Sequence, residues 1–189
     1  MRRSRRAAAF VTVCLVQAAC SEPTQPSPPA ATEAARVTSG AGVERLINMM
    51  DACDPASFNA ALGPGTCIGR GGGVTFDNFL AQLGAHQKVG AWHFAPPNTN
   101  VRVGQTLVAI NRGGEDHTFT EVEEFGGGFI PVLNQLSGTP VPAPECLALA
   151  PGDIVPPGGT VREAVSEAGT EHYQCCIHPW MRTTVNARD

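Results

Sequence analysis

His172-Tyr173-Gln174-Cys175-Cys176-Ile177-His178-Pro179-Trp180-Met181 places a thiol, an imidazole and a thioether within seven residues, in the spacing Cys-x-x-His-x-x-Met. Three such donors face a single point only if the segment between them is a loop wrapped between two strands. The flanking residues support this. His172 to Cys175 and Arg182 to Asn186 both read as short strands, so the loop lies at the end of a hairpin.

Working outward, Ala91 to Phe94, Val101 to Val103, Thr106 to Ile110, Thr118 to Val122 and Val161 to Val165 read as further short strands, with Gly104-Gln105 as a tight turn. Short strands spaced by turns predict a mainly β chain folded as an antiparallel sandwich of about 100 residues. The 21 Gly, 16 Pro and 6% aromatic residues fit that class better than a helical bundle. Residues 126–160 form a long Gly/Pro-rich connection. Its Gly126-Gly127-Gly128 run is no phosphate loop, because no Gly-Lys-Ser/Thr follows. Glu121, Glu123 and Glu124 are expected on a solvated strand face, with a docking patch as the alternative.

A thioether beside a thiolate and an imidazole points to copper. Zinc seldom recruits Met, whereas trigonal His₂Cys with a long axial Met is an electron-transfer copper geometry. That geometry needs a second His, and His117 is the natural candidate. It sits in Asn111-Arg112-Gly113-Gly114-Glu115-Asp116-His117-Thr118-Phe119-Thr120, at a turn entering a strand. His86, His93 and His172 are unassigned and read as surface or core-edge residues. Trp92 and Trp180 read as packing residues, with Trp180 helping to form an apolar docking rim around His178. Phe119 and Tyr173 are expected in the sandwich core.

At these residues the chain resembles the cupredoxins, small blue copper proteins of the plastocyanin and amicyanin type. The loop Cys175-x-x-His178-Pro179-Trp180-Met181-Arg182 is similar to the short amicyanin form, and the resemblance covers about residues 88–187. It implies a Greek-key β-sandwich holding one mononuclear type 1 copper, Cu(I)/Cu(II), with His117, Cys175, His178 and Met181 as ligands. The family's Asn six before the first His falls on Asn111, which implies hydrogen bonds tying the two ligand loops together. Two features depart from the family: Cys176 occupies a loop position where Cys is unusual, and residues 40–85 have no counterpart. The 126–160 connection also exceeds that of the smallest members. The chain lacks the His-x-His pairs of a multicopper oxidase, and its adjacent Cys175 and Cys176 do not suit a binuclear site. The resemblance therefore implies a one-electron carrier, not an enzyme, with His178 as the most solvent-near ligand and electron port. The alternative is extracytoplasmic copper binding, delivery or sensing without redox turnover, although no Met- or His-rich tract is visible.

Residues 1–19 read as an export signal: a basic start through Arg6, the apolar stretch Ala7 to Val16, then small Ala18 and Ala19. Leu15-Val16-Gln17-Ala18-Ala19-Cys20 resembles a bacterial lipobox, with Cys20 lipidated, although Gln17 stands where an aliphatic residue is usual. Ordinary cleavage is the alternative. Residues 20–39 are a Pro/Ser/Thr-rich tether. The expected location is periplasmic or on the outer cell surface, membrane-associated through Cys20 or otherwise soluble. The net charge of −4 hides four Arg within the signal; after Ala19 there are 9 basic and 17 acidic residues. That balance argues against nucleic acid and for a basic or apolar redox partner, such as a c-type cytochrome or an oxidase. No apolar run approaches the roughly 20 residues of a membrane span.

Residues 40–85 are expected to form a helical annex ahead of the 86–189 sandwich domain. Val43, Leu46, Ile47 and Met50 fall on one helical stripe, and Phe76, Phe79, Leu80 and Leu83 on another, with Thr75 as N-cap and Gly84 as stop. Asp54-Pro55 opens a short helix between them through Leu62. Cys53 and Cys67 flank that helix, and in an oxidising compartment their pairing is the expected staple. With Cys14 leaving in the signal, Cys20 lipidated and Cys175 on copper, Cys146 and Cys176 remain and are expected to bridge. A vicinal Cys175–Cys176 disulfide would destroy the site.

Overall fold

The computed structural model describes residues 42–69 and 73–189. The export signal 1–19, the tether 20–39 and Cys20 lie outside the described residues. Two four-stranded sheets pack face to face. The first is built from β1 (Glu44–Met50), β2 (His93–Ala95), β4 (Thr106–Asn111) and β8 (Thr160–Ala164), in the order β2-β1-β4-β8. The second contains β3 (Asn98–Arg102), β6 (Thr120–Val122), β9 (Gly169–Gln174) and β10 (Arg182–Arg188), in the order β3-β10-β9-β6. A two-stranded ladder joins β5 (His117–Thr118) to β7 (Ile154–Val155).

The sandwich is mixed where an antiparallel one was expected. β1 runs parallel to β4, with Glu44 opposite Thr106 and Asn48 opposite Ile110, and β10 runs parallel to β3. Parallel neighbours need a long crossover, and the β1–β4 pair has one: the chain leaves β1 through the helical segment and returns through β2. The helix expected over Val43–Met50 is therefore a strand. Ile47 and Met49 are buried while Val43 and Leu46 are about half exposed, so burial follows the two-residue period. Pairing with the open edge of β4 overrides the helical stripe.

The rest of the annex is helical. α1 (Pro55–Leu62) starts at Asp54, whose side chain accepts from the Ser57 amide at 2.9 Å. α2 (Phe76–His86) starts at Thr75 but passes through Gly84, and its stop is Gln87 in the left-handed region. Cys53 bridges Cys67, and Asn59 brackets Cys67 from α1 with two hydrogen bonds of 3.0 Å. Phe58, Phe76 and Phe79 pack edge-on and stacked against one another, and Phe58 and Phe79 pack on Trp92 at 5.8 and 4.9 Å. This aromatic cluster welds the helices to the sandwich.

The 126–160 connection holds α3 (Pro131–Leu136), two 3₁₀ turns (Pro144–Leu147 and Pro151–Asp153) and β7. Its Gly run serves backbone apposition. The Gly128 amide donates to Asn134 Oδ1, and a side chain at Gly128 would collide with the Cys176 carbonyl. Phe129 N donates to that carbonyl at 2.9 Å, and Cys146 bridges Cys176, so the connection is fastened to the loop between β9 and β10 as expected. Glu121, Glu123 and Glu124 are exposed.

In the sandwich core Tyr173 stacks on Phe119 at 4.3 Å, and its hydroxyl donates to Glu171 Oε2 at 3.0 Å. Burial first, then the Glu171 and Glu121 carboxylates, push its phenol above the usual range. The folded protein thus holds this proton more tightly than the unfolded chain. The associated stability is complete below about pH 10 and falls as pH rises above it. Tyr173 is the one tyrosine of the chain, so its phenolate absorbance is cleanly read. In an alkaline titration that band is expected only together with loss of the native circular dichroism. A reversible transition near pH 10 in the folded protein contradicts the assignment.

Candidate metal centre

The end of the sandwich where β5, β9 and β10 meet gathers the chemistry. His117 opens β5, paired with Val155 of β7. Cys175 follows β9, and the loop returns to β10 through one tight turn, in which Met181 N donates to His178 O at 2.9 Å, while Cys175 N donates to Met181 O at 3.0 Å across the base of the loop. Arg182 fastens the loop from outside, donating to Pro179 O at 2.6 Å and to Gly126 O at 3.2 Å.

His117, Cys175 and Met181 are fully buried and His178 is 4% exposed. Cys175 is the one free thiol among the described residues. Its Sγ lies 3.7 Å from His117 Nδ1 and 3.9 Å from His178 Nδ1. A metal with bonds of about 2.0–2.3 Å to nitrogen and sulfur spans ligand pairs roughly 3.5–4 Å apart, so the three atoms fit one ion. Burial pushes the Cys175 thiol up, but the two imidazoles outweigh it and leave the thiol well below its ordinary value. A thiolate poised this way is a metal ligand in waiting. Met181 occupies the same loop and is fully buried.

Thr118 ties the His117 and Cys175 segments together. Its amide points at Cys175 Sγ at 3.4 Å, and its hydroxyl accepts from Cys176 N at 2.8 Å. That corrects the role expected for Asn111. Asn111 Nδ2 donates to Glu115 O and Val155 O, and its Oδ1 accepts from Gly113 N. It therefore braces the turn before His117 against β7 and makes no bond to the Cys175 loop.

Two buried carboxylates stand behind the imidazoles, and sequence reasoning missed both. Asp51 Oδ2 lies 2.9 Å from His117 Nε2, with both side chains fully buried. Burial opposes the Asp51 charge, but the bond from His117 and the Gly114 and Glu115 amides bring its carboxyl below the usual range. Burial likewise opposes a charged His117, yet Asp51 and Cys175 raise it to about 9. Glu115 Oε2 accepts from Trp92 Nε1 at 2.7 Å and lies 3.7 Å from His178 Nε2. Its carboxyl is raised mainly by burial, against the pull of His178 and Trp92. Cys53 lies close to both carboxylates, but its sulfur is in the disulfide and offers no ligand.

Around His178 stand Trp180 at 5.5 Å and Phe79 and Trp92 at 6.4 Å. Trp92 is core, as expected, whereas Trp180 is half-buried beside His178. His178 and Glu115 also line a cavity of about 430 Å³ between α1, α2 and α3, whose walls include Phe79, Leu80, Leu133 and Ile177. His86 and His93 are exposed and His172 is half-buried, bonded to Glu123 O.

No family model matches the chain, and no curated protein matches it in sequence. Solved structures similar to it are cupredoxins. A purple cupredoxin from Nitrosopumilus maritimus is 20% identical over 53% of this chain and 86% of that one, with a TM-score of 0.39. A mutant amicyanin in the Cu(I) state is 23% identical over 51% of this chain and 73% of that one, with a TM-score of 0.34. Oxidised plastocyanin from Dryopteris crassirhizoma is 17% identical over 53% and 93%, with a TM-score of 0.36.

Replacing Thr118 with Val keeps the shape and leaves the buried Cys176 amide without its acceptor. Urea unfolding of the metal-free protein should show a loss of about 1–3 kcal/mol, the cost of one unsatisfied buried donor. An unchanged midpoint would remove Thr118 as the clasp between the loops.

Proposed function

We propose that the protein is an exported mononuclear type 1 copper protein that carries single electrons between redox partners. The convergence of His117 Nδ1, His178 Nδ1 and Cys175 Sγ in a buried site supports this reading above any other observation. Copper held there would supply a one-electron couple, with Met181 available as a thioether donor from the same loop. Cys175, His117 and His178 provide the donor set that suits it. The strand ladders behind Cys175 and His117, the turn through Met181 and the Thr118 clasp hold the donors in one arrangement, so little movement accompanies a change of charge. Phe79, Trp92 and Trp180 keep water from His178.

His178 serves as the electron port. It is the least covered of the four side chains, and it lines the apolar cavity beside α2 and α3. Leu62, Leu80 and Val132, exposed on the walls of that cavity, give a partner an apolar surface. The acidic balance of the chain after residue 19 favours a basic partner rim, as a c-type cytochrome or an oxidase would offer. The two disulfides fit an oxidising compartment. Export through residues 1–19 and anchoring through Cys20 complete the proposal.

Adding Cu(II) to the purified metal-free protein should produce an intense blue thiolate charge-transfer band at one copper per chain. Cys175→Ser should abolish the band. Met181→Leu should retain copper while shifting the reduction potential. A protein that binds copper without the band, or releases it on reduction, is a delivery or sensing protein and not an electron carrier.

A further inference from the structure

Asp51 ends the β1 segment, next to the disulfide-stapled turn, and its carboxylate is saturated with donors. Oδ1 accepts from Cys53 N at 3.2 Å and Gly114 N at 2.9 Å; Oδ2 accepts from Glu115 N at 3.0 Å and from His117 Nε2 at 2.9 Å. Four donors and no acceptor fit an ionised carboxylate, which only accepts. The imidazole it meets then carries its proton on Nε2, and Nδ1 is the nitrogen aimed at Cys175.

The helical annex builds this contact. Cys53, whose amide holds Oδ1, bridges Cys67, and Ile68 N donates to Gly114 O at 2.8 Å. The 113–115 turn lies so tightly under the staple that a side chain at Gly114 would stand 2.8 Å from Cys53 Sγ and 3.3 Å from Cys67 Sγ. Strand end, staple and turn together carry a full negative charge to the back of one imidazole, in a place with no exposure to water.

Resting on the copper reading above, we propose that Asp51 is a positioning residue: it fixes the His117 ring with Nδ1 toward the metal, and its buried charge favours Cu(II) over Cu(I), lowering the reduction potential. Carboxylates behind a ligating imidazole orient the ring and raise its basicity. A fixed negative charge in a buried site favours the more positive ion, and low local dielectric keeps that effect from being screened. The annex is thus part of the metal centre.

Spectroelectrochemical titration at one pH of the wild type, Asp51→Asn and the surface control Glu121→Gln tests the charge. Asp51→Asn keeps an acceptor for Nε2–H, so the blue band should persist. The preference for Cu(II) over Cu(I) should fall about tenfold, an upward shift of about 59 mV for a one-electron couple. Glu121→Gln should leave the potential where it was. An unmoved potential in Asp51→Asn, or an equal shift in both variants, overturns the proposal. A second measurement needs no variant: long-range ¹H–¹⁵N spectra of the metal-free wild type should show a slowly exchanging His117 Nε2–H. A fast-exchanging Nε2–H, or none, overturns the pairing with Asp51. A wild type that takes up copper but never turns blue fails the function reading instead, and the imidazole spectrum still judges Asp51.

Discussion

A thiol buried between two imidazoles, out of contact with water, is the constraint that the surrounding structure serves. Removing such groups from water costs several kcal/mol unless each finds a partner. Cys175 finds His117, His178 and the Thr118 amide; His117 finds Asp51; the Cys176 amide finds the Thr118 hydroxyl. Apart from Cys175–His178, these contacts are not available to an isolated hairpin. They require β5 to stand beside the start of the Cys175 loop, and that placement follows from the β5–β7 ladder and from β6 pairing with β9.

The same constraint explains why the helical segment is fused to the sandwich. β1 contributes a strand to the first sheet, its end delivers Asp51, and α2 lays Phe79 over His178 while Trp92 holds Glu115. A smaller sandwich would leave His178 open on that side. Here aromatic rings cover it, and the approach narrows to a cavity with apolar walls. The covering of His178 therefore depends on side chains that lie far from residues 175–181 in sequence.

What was legible in the sequence was local. The Cys-x-x-His-x-x-Met spacing and the flanking strands lie within one hairpin, and Asp54-Pro55 marks the start of α1 through its own cap. What was not legible depends on distant partners. Residues 43–50 satisfy a helical period as well as a strand period, and pairing with β2 and β4 decides between them. β7 is two residues long and exists because β5 needs a neighbour. The Asp51–His117 contact spans 66 positions and leaves no spacing to find. Asn111 was expected to tie the two loops together, but its side chain donates to carbonyls on its own turn and on β7, which side-chain pattern cannot reveal. Gly84 punctuates the helical stripe, yet a glycine inside a helix costs only about 1 kcal/mol, less than α2 gains by packing Leu83 and Phe79.

The position of the first disulfide follows from the energetics of that buried carboxylate. An ionised group without exposure weakens the fold unless its donors are held in place, and three of the four on Asp51 are backbone amides of two short turns. Turns this short have little packing of their own, so their order must be imposed. The Cys53–Cys67 bridge closes a loop of 14 residues, which on the chain-entropy account contributes about 3 kcal/mol. That is comparable to the cost of leaving such a group poorly partnered. The aromatic cluster of Phe58, Phe76, Phe79 and Trp92 adds a second fastening for α1. Staple and cluster stand where the fold keeps a charge that hydrophobic packing alone would expel.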